Sequence, residues 1–269
     1  MRSGGRRLLH TGLAQIDICI GDRIRNQERV REWMALCCKR APYPTVVVLP
    51  EIWDVGYALE RKDELADDEG REAAMFLGHL ARQYGVWFAG GSVLARTAGG
   101  IVNRAQVIDP SGTLVAQYDK VHLVPMLDEP LHLVGGNSRC IFTVAGTMAS
   151  CVVCYDVRFC EFIRRCALDG AKVLFVSAEW PQERIEHWRV LLQARAIENM
   201  MYVVACNRVG SSNGVHFGGN SMVFDPWGLV LHRGAAEAEE GAFVSFDPAG
   251  VEHTRNQLKV FDMRRPELY

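Results

Sequence analysis

The chain has no apolar run long enough to cross a bilayer: no window approaches ~18 uninterrupted apolar residues, which excludes a transmembrane helix. Nor does an apolar stretch of signal-peptide length follow the arginines of the opening MRSGGRRLLHTG, so an unexported, cytoplasmic protein is expected. Clustered positive charge is missing too. The formal net charge is -2 and acids and bases interleave, which argues against a nucleic-acid surface and favours small-molecule chemistry; with no spanning run, no membrane partner is expected. No HxxxH, no HExxH and no second CxxC exists to complete a zinc set, so no metal or other cofactor is expected. No Pro/Ser/Gly linker or low-complexity run interrupts the 269 residues, and the acidic AAEAEEG (235–241) is short enough for a solvated loop. One domain is expected, with residues 1–10 flexible and 251–269 a C-terminal tail.

What is present suffices for a full core. Hydrophobic residues make up 49% of the chain and charged residues 23%, so neither disulfides nor metal are needed for folding. Nine cysteines is an odd number, two of them adjacent (Cys37, Cys38) and others inside apolar runs, which suits reduced thiols.

Strand-length apolar runs alternate with amphipathic segments. TVVVLPE (45–51), VWFAGGSV (86–93), CVVCYD (151–156), KVLFVSA (172–178) and MYVVACN (201–207) are continuous, so they read as strands covered on both faces. Between them, Val30, Trp33, Met34 and Cys37 share one helical face, as do Ala73, Phe76, Leu77, Leu80, Ala81 and Tyr84. The class is α/β. VIDPSGTLV (107–115) and VFDPWGLVL (223–231) each place Asp-Pro-x-Gly between strand-like arms, the signature of a type I turn in a hairpin. One such hairpin in each half predicts a pseudo-symmetric pair of sheets. A third copy, FDPAG (246–250), precedes a poor strand and reads as a turn into the tail.

CVVCYDVRFCE (151–161) holds three cysteines in eleven residues. Residues three apart on a strand point to opposite faces, so Cys151 and Cys154 do not form a shared metal or redox site there. Cys19, Cys37, Cys140, Cys151, Cys166 and Cys206 read as small core hydrophobes. Cys154 differs because it closes an apolar run and polar residues follow at once. It stands at the carboxyl end of a strand, where α/β sheets place their chemistry. A thiol nucleophile needs a base, and no histidine is nominated by its position. Two other strand ends offer groups. Glu51 ends TVVVLPE and reads either as an exposed strand-end acid or as a partly buried general base. Lys120 ends a hairpin arm in LVAQYDKVHLVP, where composition alone favours a solvated surface lysine.

Taken together, Glu51, Lys120 and Cys154 in the frames LPEIWDVGY, YDKVHL and CYDVRF resemble the nitrilase superfamily of carbon-nitrogen hydrolases. HWRVLLQARAIEN (187–199) and ACNRVG (205–210) extend the resemblance, which runs from Leu13 to near Gly250. Within the superfamily, LDELADDEG-like wording at 63–70, MLDEP (126–130) and SAEWP (177–181) point to the ω-amidase branch, in particular the 2-oxoglutaramate amidases. The resemblance implies an α-β-β-α sandwich of nitrilase type and at least a homodimer. It implies that Cys154 is the nucleophile, Glu51 the general base and acid, and Lys120 the oxyanion stabiliser. Glu129 then supports the lysine and the attacking water, and the backbone N–H of Tyr155 joins Lys120 at the oxyanion.

The implied reaction is thiol-dependent hydrolysis of the terminal carboxamide of a small 2-oxo dicarboxylate monoamide to acid and ammonia. Tyr57, Glu179 and Trp180 are expected to shape the pocket. Arg158, Arg184 and Arg208 are candidates for the substrate carboxylate, with Arg158 read in preference as a structural partner of Glu161 or Glu198. Cys160 stands where the family often has proline and Pro130 where the branch commonly has histidine, departures expected to reshape the pocket rim. Competing readings are an N-carbamoyl amino acid amidohydrolase, an aliphatic amidase, a nitrilase, and a silent binding protein of the same fold.

Overall fold

The computed structural model describes residues 8–268. The first half of the chain gives β1 (Leu9–Gln15), α1 (Arg23–Cys37), β2 (Thr45–Val48), α2 (Lys62–Leu65), β3 (Asp67–Asp68), α3 (Arg71–Tyr84), β4 (Trp87–Thr97), β5 (Gly100–Ile108) and β6 (Leu114–Asp119). The second half gives α4 (Glu129–His132), β7 (Ile141–Val144), β8 (Thr147–Val153), α5 (Cys160–Leu168), β9 (Val173–Ala178), α6 (Ile185–Asn199) and β10 (Tyr202–Asn207). A ribbon of β11 (Val209–Ser212) and β12 (Val215–Gly218) comes next, then β13 (Met222–Phe224), β14 (Val230–Arg233), β15 (Glu240–Phe246) and α7 (Gly250–Leu258).

Two sheets result. One has the order β15-β1-β2-β4-β5-β6 with β3 beside β4, the other β14-β13-β10-β9-β8-β7. Each is parallel at its centre, through β1, β2 and β4 in one and β8, β9 and β10 in the other. The continuous apolar runs have their cause here, because residues on both faces of these strands are covered. Val46, Val48 and Val107 point into a core shared with Cys151, Val153 and Phe175 of the opposite sheet. The alternate residues Val47, Phe88 and Ile108 pack outward against Trp33, Met34, Leu77 and Leu80 of α1 and α3. On the far side α6 packs on β10 with α5 beside it, completing an α-β-β-α sandwich. Each buried side chain of this kind contributes about 1.5–3 kcal/mol.

The helical faces read from sequence are the ones that pack: Val30, Trp33 and Met34 of α1 and Ala73, Leu77, Leu80 and Ala81 of α3 are buried. Cys19 and Cys37, read as core, are only partly buried. The Asp-Pro-x-Gly hairpins join β5 to β6 and β13 to β14 by the same device. Asp109 Oδ1 accepts the N–H groups of Ser111 and Thr113, and Asp225 Oδ1 those of Trp227 and Leu229. Gly112 and Gly228 both close their turns at φ +80°, a conformation that costs a glycine little.

The two ends of the chain depart from expectation. Leu9 and His10, expected to be flexible, open β1 and pair with Phe246 and Ser245, whereas residues 1–7 lie outside the described residues. The third Asp-Pro-x-Gly makes the same aspartate-capped turn, Asp247 Oδ1 accepting from Ala249 N–H. It launches α7 rather than a loose tail, and Val251 is fully buried. Among the described residues no helix is long and apolar enough to cross a membrane.

Candidate active site

β6 is antiparallel to β5, which is antiparallel to β4, so β6 runs parallel to β4 and β2. The carboxyl ends of β2 and β6 therefore lie at one edge of their sheet, and those of β8 and β9 at one edge of the other. Lys120, Cys154 and Glu179 come directly after β6, β8 and β9, and Glu51 comes three residues after the end of β2. The structure brings them together.

Lys120, which composition placed on the surface, is fully buried, as are Glu51 and Glu129. Its Nζ donates to Glu51 Oε1 at 2.8 Å and to Glu129 Oε1 at 2.7 Å. The Tyr57 hydroxyl lies 2.7 Å from Glu51 Oε1 and 2.6 Å from Glu129 Oε1, tying the carboxylates together. Tyr57 is thus part of the charged cluster rather than a plain pocket wall. Asn103 Nδ2 also donates to Glu51 Oε1 at 2.9 Å, while the backbone N–H of Glu179 donates to Oε2 at 3.1 Å. Val124 N–H donates to Glu129 Oε2 at 2.7 Å. Burial without such partners would be strongly unfavourable for three charged groups.

The charges set the protonation states. Burial pushes Glu51 up, but the Lys120 charge and the hydrogen bonds from Lys120 and Tyr57 outweigh it and hold the carboxyl below its usual range. Burial pulls Lys120 down, yet the two glutamates more than restore it, so it stays an ammonium. Glu129 goes the other way, raised by burial and by the Glu51 charge against the pull of Lys120. The Cys154 thiol is pushed well above its ordinary value by burial and by the Glu51 charge. The site thus pairs a neutral thiol with an ionised carboxylate.

β8 ends at Val153, and Cys154 opens a 3-10 turn over Cys154–Arg158 with φ +47°. That left-handed value is strained for a residue with a Cβ and requires support. Asp156 supplies it. Fully buried, its carboxylate accepts from Val153 N–H (3.0 Å), the Tyr118 hydroxyl (2.7 Å) and His122 N–H (3.0 Å), with His122 Nδ1 at 2.8 Å. The His122 ring stacks on Phe159 at 3.6 Å between centroids. The turn bearing the thiol is thereby fastened to the segment just after Lys120. Asp156, His122, Tyr118 and Asn103 were not singled out from sequence, although the first three stand inside the quoted frames around Cys154 and Lys120.

Cys154 faces a cavity of about 290 Å³ whose wall includes Tyr155, Arg158, Glu179, Trp180 and Arg184. Glu198 pairs with Arg195 at 2.8 Å, and among the described residues no carboxylate pairs with Arg158, which overturns its expected structural role. Its guanidinium lies instead over the Trp180 ring at 4.7 Å and near the Tyr155 ring at 5.6 Å. Arg208 is removed from candidacy: it is fully buried between Glu179 Oε2 (2.8 Å) and Asp17 Oδ1 (2.6 Å). Burial pushes Glu179 up to about 7 against the pull of Arg208. Trp180 is pinned by its indole N–H to Arg184 O at 2.8 Å. Cys160 and Pro130, expected at the rim, line no part of this cavity, and Cys160 faces Glu161 at 3.2 Å on another surface. Cys151 is buried in β8 within the core, and among the described residues no group of three or more His, Cys, Asp or Glu is arranged to hold a metal.

Comparison with known proteins bears on the same architecture. The profile of the carbon-nitrogen hydrolase family matches residues 12–256. The chain belongs to the carbon-nitrogen hydrolase family. This carbon-nitrogen hydrolase is 40% identical over 256 residues to the 2-oxoglutaramate amidase of Bacillus subtilis (strain 168), covering 95% of this chain and 97% of that one. It is 42% identical over 188 residues to omega-amidase YafV of Escherichia coli (strain K12), covering 69% and 71%. Among solved structures, XC1258 of Xanthomonas campestris, a CN-hydrolase superfamily protein with an arsenic adduct in its active site, superposes with TM-score 0.88 at 29% identity, covering 96% and 98%.

Proposed function

We propose that this hydrolase removes ammonia from the terminal carboxamide of a small 2-oxo dicarboxylate monoamide, 2-oxoglutaramate being the type, through a thioester on Cys154. One observation carries the reading: a buried, neutral thiol held under the charge of an ionised, buried glutamate that is itself clamped to a buried lysine. This arrangement is built for concerted proton removal. As sulfur attacks the carbonyl carbon its proton passes to Glu51, and the carbonyl electron pair moves to oxygen. Lys120 and the N–H of Tyr155, at the start of a turn where such groups have no intrahelical acceptor, receive that charge. Collapse breaks the C–N bond, nitrogen takes the proton from Glu51, and ammonia departs. Water then yields a proton to Glu51 and attacks the thioester, and the C–S bond breaks as the thiol regains the proton. Each proton has a donor and an acceptor among these side chains.

The substrate class rests on the named relatives and on Arg158, a guanidinium on the wall of the Cys154 cavity with no carboxylate partner among the described residues. A carboxylate at the far end of the substrate is the group that such a cation receives. Ammonia release from 2-oxoglutaramate, 2-oxosuccinamate, an N-carbamoyl β-amino acid and a simple nitrile tests the assignment. Preference for the first two is expected, and turnover of the carbamoyl compound alone would overturn it.

A further inference from the structure

The hydrogen-bond acceptors around Cys154 are almost all occupied. Glu51 Oε1 takes Tyr57, Asn103 and Lys120, and its Oε2 takes the N–H of Glu179. Glu129 Oε1 takes Lys120 and shares the one Tyr57 hydroxyl proton with Glu51, and its Oε2 takes Val124 N–H. Glu179 is different. Its Oε2 accepts from Arg208, but its Oε1 has no partner although the residue is 1% exposed. Among the described residues, it is the one buried and unpartnered side-chain polar atom that belongs to a residue of the cavity wall. A buried carboxylate oxygen left without a donor, at the wall of the cavity that holds the nucleophile, asks for a donor from the bound molecule.

The substrate of the proposed reaction brings the matching donors. With its oxygen held by Lys120 and Tyr155 N–H, a primary carboxamide still presents two N–H groups to a cavity whose other buried carboxylates are committed. We propose that Glu179, through Oε1, accepts an N–H of the scissile carboxamide and so selects primary amides and orients the leaving nitrogen. This inference rests on the amidase reading. Because the backbone N–H of Glu179 also holds Glu51 Oε2, one residue ties the acceptor of the leaving nitrogen to the carboxylate that delivers its proton. Arg208, itself held by Asp17, braces the carboxylate through Oε2 and leaves Oε1 as the free oxygen.

An ester of the same acid lacks the N–H groups but passes through the same thioester. The test is kcat/KM for the ω-carboxamide and the ω-methyl ester of one 2-oxo dicarboxylate, in wild type, Glu179→Gln and Glu179→Asp. In Glu179→Gln the amide oxygen stays on Arg208 and an NH2 faces the carboxamide, donor against donor. The amide-to-ester ratio is expected to fall about 30-fold or more, the scale on which sites reject a mismatched polar group. Glu179→Asp keeps the charge toward Arg208 and withdraws the oxygen by one methylene, and a smaller fall in the same ratio is expected if Glu179→Gln does not fold. Equal loss on both substrates would reduce Glu179 to a structural brace and overturn the inference, as would an unchanged ratio. A wild-type enzyme that turns over neither substrate would refute the amidase reading itself.

Discussion

Lys120 Nζ and Glu51 Oε1 lie 2.8 Å apart with neither side chain exposed to solvent. Two charges are removed from water here, and they are compensated by each other and by Glu129, Tyr57, Asn103 and the backbone N–H of Glu179. Breaking one member of such a buried set leaves an uncompensated charge.

Lys120→Met is therefore expected to cost about 3–5 kcal/mol of stability, because Glu51 and Glu129 would face each other without a cation. Ammonia release should fall at least about 100-fold, on the scale of losing an oxyanion donor. Urea unfolding and steady-state rates on the same preparation check both. A variant that is active and equally stable contradicts the burial and the role.

Glu51→Gln separates nucleophile from base. Turnover is expected to fall about 1,000-fold, within the range for loss of general acid-base catalysis. The thiol should still be alkylated by chloroacetamide, and faster than in wild type at neutral pH, because the carboxylate that raises it is gone while Lys120 remains. In wild type the same two groups set the pH limits. Glu51 lies below its ordinary 4.5 and Cys154 well above its ordinary 9.0, so the competent form, ionised glutamate with neutral thiol, persists between them. As far as these two groups govern it, kcat/KM should stay level from about pH 5 to pH 9, falling outside those limits. A thiolate-like acceleration of wild-type alkylation near pH 7 would contradict this.

Asp156→Ala removes the acceptor for Val153 N–H, the Tyr118 hydroxyl and His122 N–H. The strained φ at Cys154 then loses its support. A destabilisation of about 2–4 kcal/mol is expected from the buried groups left unpaired, together with a kcat loss of about 100-fold from the displaced sulfur. Thermal unfolding and kcat check the pair.

Much of the fold is legible because it is local. Runs of valine covered on both faces, one helical face in α1 and α3, and a repeated aspartate-capped turn all declare themselves within ten or fifteen residues. The site is legible only as a set: three reactive side chains at three strand ends, read through a family likeness. Burial of Lys120 is not legible, since composition cannot see the two glutamates 69 residues upstream and nine downstream that make it possible. Arg158 is misjudged because Glu198 is claimed by Arg195, one turn earlier on α6, whose guanidinium also reaches across to the carbonyls of Val157 and Arg158. The helix after residue 250 is hidden because the turn before it copies two hairpin turns. Whether such a turn leads into a strand or a helix depends on the surface against which the next segment packs, and that surface comes from distant parts of the chain.

Arg158→Ala should raise KM for 2-oxoglutaramate about 10- to 100-fold, the value of one charge-assisted hydrogen bond, while a short neutral amide is hardly affected. Equal effects on both substrates would assign Arg158 to packing against Trp180 instead.

The most direct test of the account is the covalent intermediate. Protein quenched in acid during turnover of 2-oxoglutaramate and analysed by peptide mass spectrometry should carry the acyl group on the peptide containing Cys154, and Cys154→Ala should carry none and release no ammonia. Ammonia release that persists in Cys154→Ala, or an acyl group on another residue, would contradict it.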